Sequence, residues 1–409
     1  MKRIILLFLV FPHLLFSQKD ENPIDIDFSG FVRGDYLYDT RQNVEACEGL
    51  FTLYPLPEKL DENGKDINAQ DRANLFSIAT RLRTTVTGPE LFGAKTKAYV
   101  EVDFTSNTGT DGFRFRHAYF QFDWEKASLL MGRFWHPLFV TEVFPTVAAL
   151  NTGAPYQVFN RSPQVRFNYR MGNFQFVSAL VYQGDYASYG PNGRSAEYLK
   201  NAVLPEFNAR LEYINNNNVF GLAGSYKVIQ PRLETDYIGT TVKVDEKVEG
   251  NALMGYLKLD FGKTDYKYKV MLGENVAEHL MFGGYAVSYK DIATGEERYT
   301  PYKHLFMWTN FVYGEAWKFG IFGGYAYNLG TEVNIVSNDD LIFARGADIE
   351  YSYRIAPHVS YSLKNFKIMT ELDYTSVAYG NIDYDNKAKV TDANEIANIR
   401  FLLTAIYNF

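Results

Sequence analysis

Strand-length segments whose alternate residues are apolar recur from one end of this 409-residue chain to the other. Past the first few residues no long apolar helix interrupts them. Val165, Phe167 and Tyr169 share one face of such a segment, and Arg166, Asn168 and Arg170 share the opposite face. Phe207 to Tyr213 repeats the pattern, and from Lys367 to Tyr374 the charges Lys367, Glu371 and Asp373 fall on one side. A soluble sandwich would alternate in the same way, so what decides between folds is how the segments are joined.

The joints come in two alternating sizes. Tight turns are expected at Gly88–Gly93, Trp124–Ala127, Met171–Asn173, Asn215–Asn218, Gly262–Thr264, Gly314–Trp317 and Leu363–Asn365. Mostly longer loops are expected at 40–72, 107–111, 136–162, 185–203, 230–250, 291–300, 329–343 and 380–395. This separates sixteen strands, an even number, as a bacterial transmembrane barrel with short periplasmic turns requires. The fold class is therefore all-β, a transmembrane antiparallel β-barrel. Two joints strain the count. Asp265 to Tyr289 must form one strand although Glu274 to His279 breaks its pattern, and a turn there would open the way to eighteen strands. Pro357 lacks a ladder donor and suggests a bulge or a rim position.

Closure has a physical cause: in hydrocarbon an unpaired sheet edge strands its backbone polar groups. The last strand, Asn398 to Phe409, should pair with the first, about Asp27 to Asp39. Ile399, Phe401, Leu403, Ala405, Tyr407 and Phe409 would then meet lipid, and Arg400, Leu402, Thr404, Ile406 and Asn408 would face inward.

Composition agrees. The 31 Tyr and 32 Phe suit the aromatic girdles of a barrel. A mean hydropathy of −0.24 is too polar for a helical membrane protein. Net charge of −7 argues against nucleic acid as a partner. Met1-Lys2-Arg3, the apolar run Ile4 to Phe16 and Ser17-Gln18 read as a signal peptide over 1–17, with the barrel over 18–409. Cys47, the only cysteine, lies too far downstream for a lipid anchor, and a single cysteine excludes an internal disulfide framework. The expected location is the cell outer membrane, with lipid and lipopolysaccharide as surroundings.

The charged faces should line a lumen, because an arginine on the lipid side at midplane costs roughly 2–4 kcal/mol. Arg81 and Arg83 point the same way, as do Glu101 and Asp103 with Lys95 and Lys97 in the next strand. Arg114, Arg116, Arg133, Arg166, Arg170 and Arg210 follow. Around Arg116 the alternation fails unless a bulge near His117 shifts the register. Arginines opposite Glu101, Asp103 or Glu371 could set up a transverse field that favours small anions, above all carboxylates taking two guanidinium bonds. Equally, the charges could merely pair and hydrate the lumen. The loop from His136 to Pro163 is apolar, with Phe139, Val140, Val143, Phe144, Val147, Leu150 and Phe159, and should not lie extended in water. An inward fold as constriction or plug is the preferred reading, with a cap or a subunit contact as rivals. Glu142 and Phe144 are its candidate constriction residues.

No catalytic motif, metal-ligand spacing or phosphate loop stands out among the six histidines and the rest of the chain, so neither an enzyme nor a cofactor is expected. The reading that emerges is a channel for passive diffusion of small hydrophilic solutes. Its competitor is a non-conducting barrel that serves as membrane platform of a secretion or surface-protein complex, with 40–72 or 136–162 docking the partner.

Several stretches resemble the outer-membrane porin superfamily, and more closely the porin-like barrels of Bacteroidetes. They are Arg81-Leu82-Arg83 before Gly88-Pro89-Glu90-Leu91-Phe92-Gly93, Lys97-Ala98-Tyr99-Val100-Glu101, Arg116-His117-Ala118-Tyr119-Phe120 and Leu130-Met131-Gly132-Arg133. Tyr407-Asn408-Phe409 looks like the signal read by the barrel-insertion machinery. The resemblance implies a sixteen-stranded homotrimer whose third external loop folds inward, with Arg81, Arg83, Arg116 and Arg133 as an arginine ladder. This loop departs from the usual pattern in nearly lacking acids, which implies a narrower, more selective pore or a closed one.

Overall fold

A computed structural model describes residues 24–105, 112–237 and 239–409. The expected signal peptide and the 107–111 connection lie outside the described residues. The main sheet is a closed antiparallel barrel. Its strands are β1 (Asp25–Asp39), β2 (Arg72–Phe76 continued by Arg81–Leu91), β3 (Ala94–Asp103), β4 (Arg114–Asp123) and β5 (Ala127–Trp135). Next come β6 (Arg161–Met171), β7 (Phe174–Val181), β8 (Glu206–Asn215), β9 (Asn218–Ile229), β10 (Val248–Asp260) and β11 (Thr264–Glu274). The circuit ends with β12 (Glu297–Gly314), β13 (Trp317–Thr331), β14 (Ile349–Leu363), β15 (Phe366–Asp383) and β16 (Lys389–Asn408). Two further strands of the same sheet, Gly283–Lys290 and Ile342–Arg345, pair with each other in the long loops, so sixteen strands cross.

β16 returns to β1 in the expected seam, from Phe31↔Asn408 to Asp39↔Arg400. Along β16, Ile399, Phe401, Leu403 and Tyr407 are exposed while Arg400, Leu402 and Thr404 are buried, so the predicted faces hold. The seven tight turns stand where the sequence places them.

Three local expectations change. β11 stops at Glu274, and the chain makes a short helical turn, Ala277–His279, before Gly283–Lys290 pairs with the outer end of β12. The irregular stretch thus lies beyond the crossing, and the count stays at sixteen. Pro357 sits within β14 without bulge or rim: it faces Ile321, and Ile355↔Tyr374 and His358↔Glu371 keep one register on either side of it. The 380–395 loop is largely strand, because β15 runs to Asp383 and β16 begins at Lys389.

The interior is filled rather than open. The 136–160 loop folds into the barrel, with Leu138, Phe139, Val140 and Val143 buried among Trp308, Phe322 and Met254. Each such side chain removed from water contributes roughly 1.5–3 kcal/mol. A second inward element was not expected: the hairpin Asn43–Ala46/Phe51–Pro55 enters beside it, and the Phe51 and Phe159 rings meet edge to face at 4.8 Å.

Candidate functional site: an arginine-lined cavity

β2, β3 and β4 bring the charged residues together, and a bulge decides how. The β3–β4 register shifts between Glu101↔His117 and Val102↔Phe115, so Arg116 is the extra residue. Arg116 and His117 are in consequence both buried, while Phe115 and Phe120 are exposed on the lipid side. This is the register shift that the failed alternation demanded.

On this wall Glu101 takes three guanidinium groups. Arg83 donates to it at 2.7 Å, Arg116 donates to its other oxygen, and Arg81 stands at 3.9 Å. Asp103 accepts both nitrogens of Arg114, at 3.0 and 2.9 Å, and one from Arg116 at 2.9 Å. Four guanidinium groups thus share two carboxylates. Both carboxylates and Arg116 are buried, so these charge-assisted bonds are strong and hold the ladder in place.

Beside the wall remains a cavity of about 110 Å³. Arg81, Arg114, Arg116 and Arg194 line it with Asp103 and Asp185, against Phe51 of the inward hairpin and Leu150 and Phe159 of the inward loop. Arg161 stands next to it, stacked over Trp135 at 4.9 Å and donating to the Tyr186 hydroxyl at 2.7 Å. Sequence reading placed Arg161 in the loop. Alternation gives no signal for it, because it begins β6 at odd parity to Gln164 and Arg166.

Other candidate residues lie elsewhere. Arg133 turns away to Asp185 at 2.7 Å and the Phe115 carbonyl, so it does not join the ladder. Its neighbours Phe134 and Trp135 supply the interior aromatics there. Arg166 packs over Phe134 and donates to Gln164 and the Trp135 carbonyl. Arg170 is exposed at the turn after β6, against the Gly172 carbonyl, too near the strand end to reach the others.

Arg210 and Glu371 hold the inward loop. Arg210 donates to the Pro137 carbonyl at 3.0 Å, and Glu371 accepts from the Ala148 and Ala149 amides at 2.7 and 3.3 Å. Arg354 adds bonds to the Ala154 and Leu53 carbonyls, tying loop and hairpin to one wall. Tyr156 locks the tip: its hydroxyl lies 2.6 Å from Ser352 Oγ and Arg354 packs over its ring. Glu142 and Phe144 stay exposed, Phe144 stacked on Phe139 at 5.4 Å. Loop and hairpin therefore fill the side of β10 to β16 and leave the cavity against β2 to β4.

No family model and no curated protein sequence matches the chain. Solved structures do. The outer membrane channel DcaP of Acinetobacter baumannii superposes with a TM-score of 0.68 at 15% identity, over 94% of this chain and 97% of that one. OmpT, an outer membrane protein of Vibrio cholerae, gives 0.56 at 12% identity over 96% and 99% of the two chains. Its in-vitro folded trimer form gives 0.56 at 11% over 94% and 99%. Such identities establish a shared fold, the sixteen-stranded barrel of outer-membrane channels, and the outward apolar band places this one in an outer membrane.

Proposed function

We propose that the chain is an outer-membrane porin that passes small hydrophilic solutes by passive diffusion and favours anions, carboxylates foremost. The observation that carries this is the guanidinium excess on the wall beside the cavity: Arg81, Arg83, Arg114 and Arg116 against Glu101 and Asp103. A carboxylate entering there finds fork donors already oriented, with little side-chain entropy left to lose. The cavity, about 110 Å³, holds only a few waters, which argues for small solutes and low conductance. A homotrimer, for which the trimer form of OmpT is the model, insertion through the terminal Phe409, and kinship with Bacteroidetes porin-like barrels belong to the same reading.

Purified protein in a planar bilayer tests it. Small stepwise currents are expected, with a reversal potential in a salt gradient of the sign set by anion permeation. Arg81→Ala and Arg83→Ala together should move that potential toward zero. Cation preference in the parent protein would refute the anion reading. The filled interior favours a second reading, the non-conducting platform, for which electrical silence and a stably co-purifying protein are the expected result.

A further inference from the structure

Away from the arginine wall, three segments far apart in sequence bring ligating side chains to one point. His136 opens the inward loop, Glu206 opens β8, and His279 ends the short turn beyond β11. Their nearest ligating atoms all lie within 4.8 Å of one another, and all three residues are buried, at 0%, 2% and 1% exposure. His136 Nε2 is 3.0 Å from Glu206 Oε1, and the two imidazole rings are 4.5 Å apart. We propose that His136, Glu206 and His279 bind a divalent transition metal, zinc being the best match, which fastens the inward loop to the barrel wall.

The chemistry fits on three counts. Two imidazoles and a carboxylate are an ordinary zinc donor set, and bonds of about 2.0–2.2 Å to a tetrahedral ion hold ligand atoms roughly 3.4 Å apart, between the 3.0 Å of His136–Glu206 and the 4.8 Å limit of the set. The surroundings are net acidic: Glu206 and Glu278 face one ammonium, Lys227, which lies 2.5 Å from Glu278. Glu278 is itself buried, stands 3.4 Å from His279 Nε2, and its Oε2 has no hydrogen-bond partner among the described residues, so a fourth ligand waits beside the site.

The second shell is present on one side. Asn160 Nδ2 lies 3.1 Å from His279 Nδ1, and with that amide turned over its oxygen accepts Nδ1–H and orients the ring as outer-shell partners of metal-bound histidines do. On the other side binding asks a second local change. The Leu138 amide donates to His136 Nδ1 at 3.2 Å, and it must give way when Nδ1 carries the proton and Nε2 takes the ion. Without metal the cluster is a buried hydrogen-bonded network, His136 donating Nε2–H to Glu206, and Glu278 Oε2 stays unsatisfied. The inference is independent of whether the barrel conducts.

The test starts from full-length protein unfolded in urea, stripped with a chelator and refolded into detergent with excess Co²⁺, since the site is closed once the loops have packed. One Co²⁺ per chain with the visible absorption of tetrahedral coordination, displaced by Zn²⁺, is expected. Glu206→Gln and His279→Gln should each weaken binding by about a hundredfold or more. Refolded parent protein without saturable Co²⁺ absorption would overturn the proposal, whatever the variants do. So would parent binding that both substitutions leave unchanged.

Discussion

Arg400 and Asp39 face each other across the closing seam. Arg400 gives Asp39 a bidentate pair at 2.9 and 2.7 Å, and its remaining reach goes to the Gly49 carbonyl of the inward hairpin at 2.7 Å. Both side chains are 3% exposed, so removing one partner strands a charge without water. Arg400→Ala should therefore cost about 3–5 kcal/mol, read as a lower urea midpoint for unfolding in detergent. Arg400→Ala combined with Asp39→Ala should recover much of that loss, because no orphaned carboxylate remains. Equal losses in the single and double variants would show that the pair does not act as a unit. The inward side of Arg400 was readable from alternation, and so were Arg81, Arg83 and Arg114. Arg133 and Arg170 were not, because near strand ends a side chain finds whatever acceptor the adjoining loop or turn provides. Arg116 needed the bulge, which the sequence announced only as a contradiction.

At the scale of elements, the inward loop was legible from its own composition: a run holding Phe139, Val140, Val143 and Phe159 cannot rest in water. The same signal stands in Leu50, Phe51, Leu53 and Tyr54 of the hairpin, all buried, where the acidic residues of the longer 40–72 loop mask it. Which wall these elements meet was not legible, since that depends on strands far away in sequence. Gly324 on β13 shows how specific the docking is. A Cβ there would lie 2.5 Å from the Tyr156 ring, whereas at Gly323 the nearest atom would be the Thr309 methyl at an ordinary 3.6 Å. Gly324→Val should thus drive Tyr156 from its seat, free the loop tip, and raise both single-channel conductance and current noise. Gly323→Val should leave both near the parent values. Identical traces from the two variants would mean that Tyr156 does not hold the loop in place.

For the whole molecule, strand number and direction followed from the alternation of short turns with long loops, and closure from the cost of an open edge in lipid. The point where the barrel shuts is Gly30. It pairs with Leu82 of β2 on one side and exchanges backbone bonds with Phe409 on the other, Gly30 N–H to the Phe409 carbonyl at 3.0 Å and the Phe409 amide back to Gly30 at 3.1 Å. Both neighbours crowd the space a side chain would need: a Cβ would fall 2.3 Å from the Arg81 carbonyl oxygen and 2.9 Å from the Phe409 ring. A backbone carbonyl cannot swing aside as a flexible side-chain end can, so even a methyl must part β1 from β2 or expel the terminal residue. Gly34, also on β1, has nothing nearer than the Phe76 carbonyl at 4.0 Å. Gly30→Val should therefore lower the yield of closed barrel on refolding into detergent, while Gly34→Val refolds like the parent. The fraction that migrates fast on an unheated denaturing gel and slows after boiling reads closure directly. Parent-like folding of Gly30→Val would mean that the seam tolerates separation at its periplasmic end, and that closure is secured higher up, by Arg400 and Asp39.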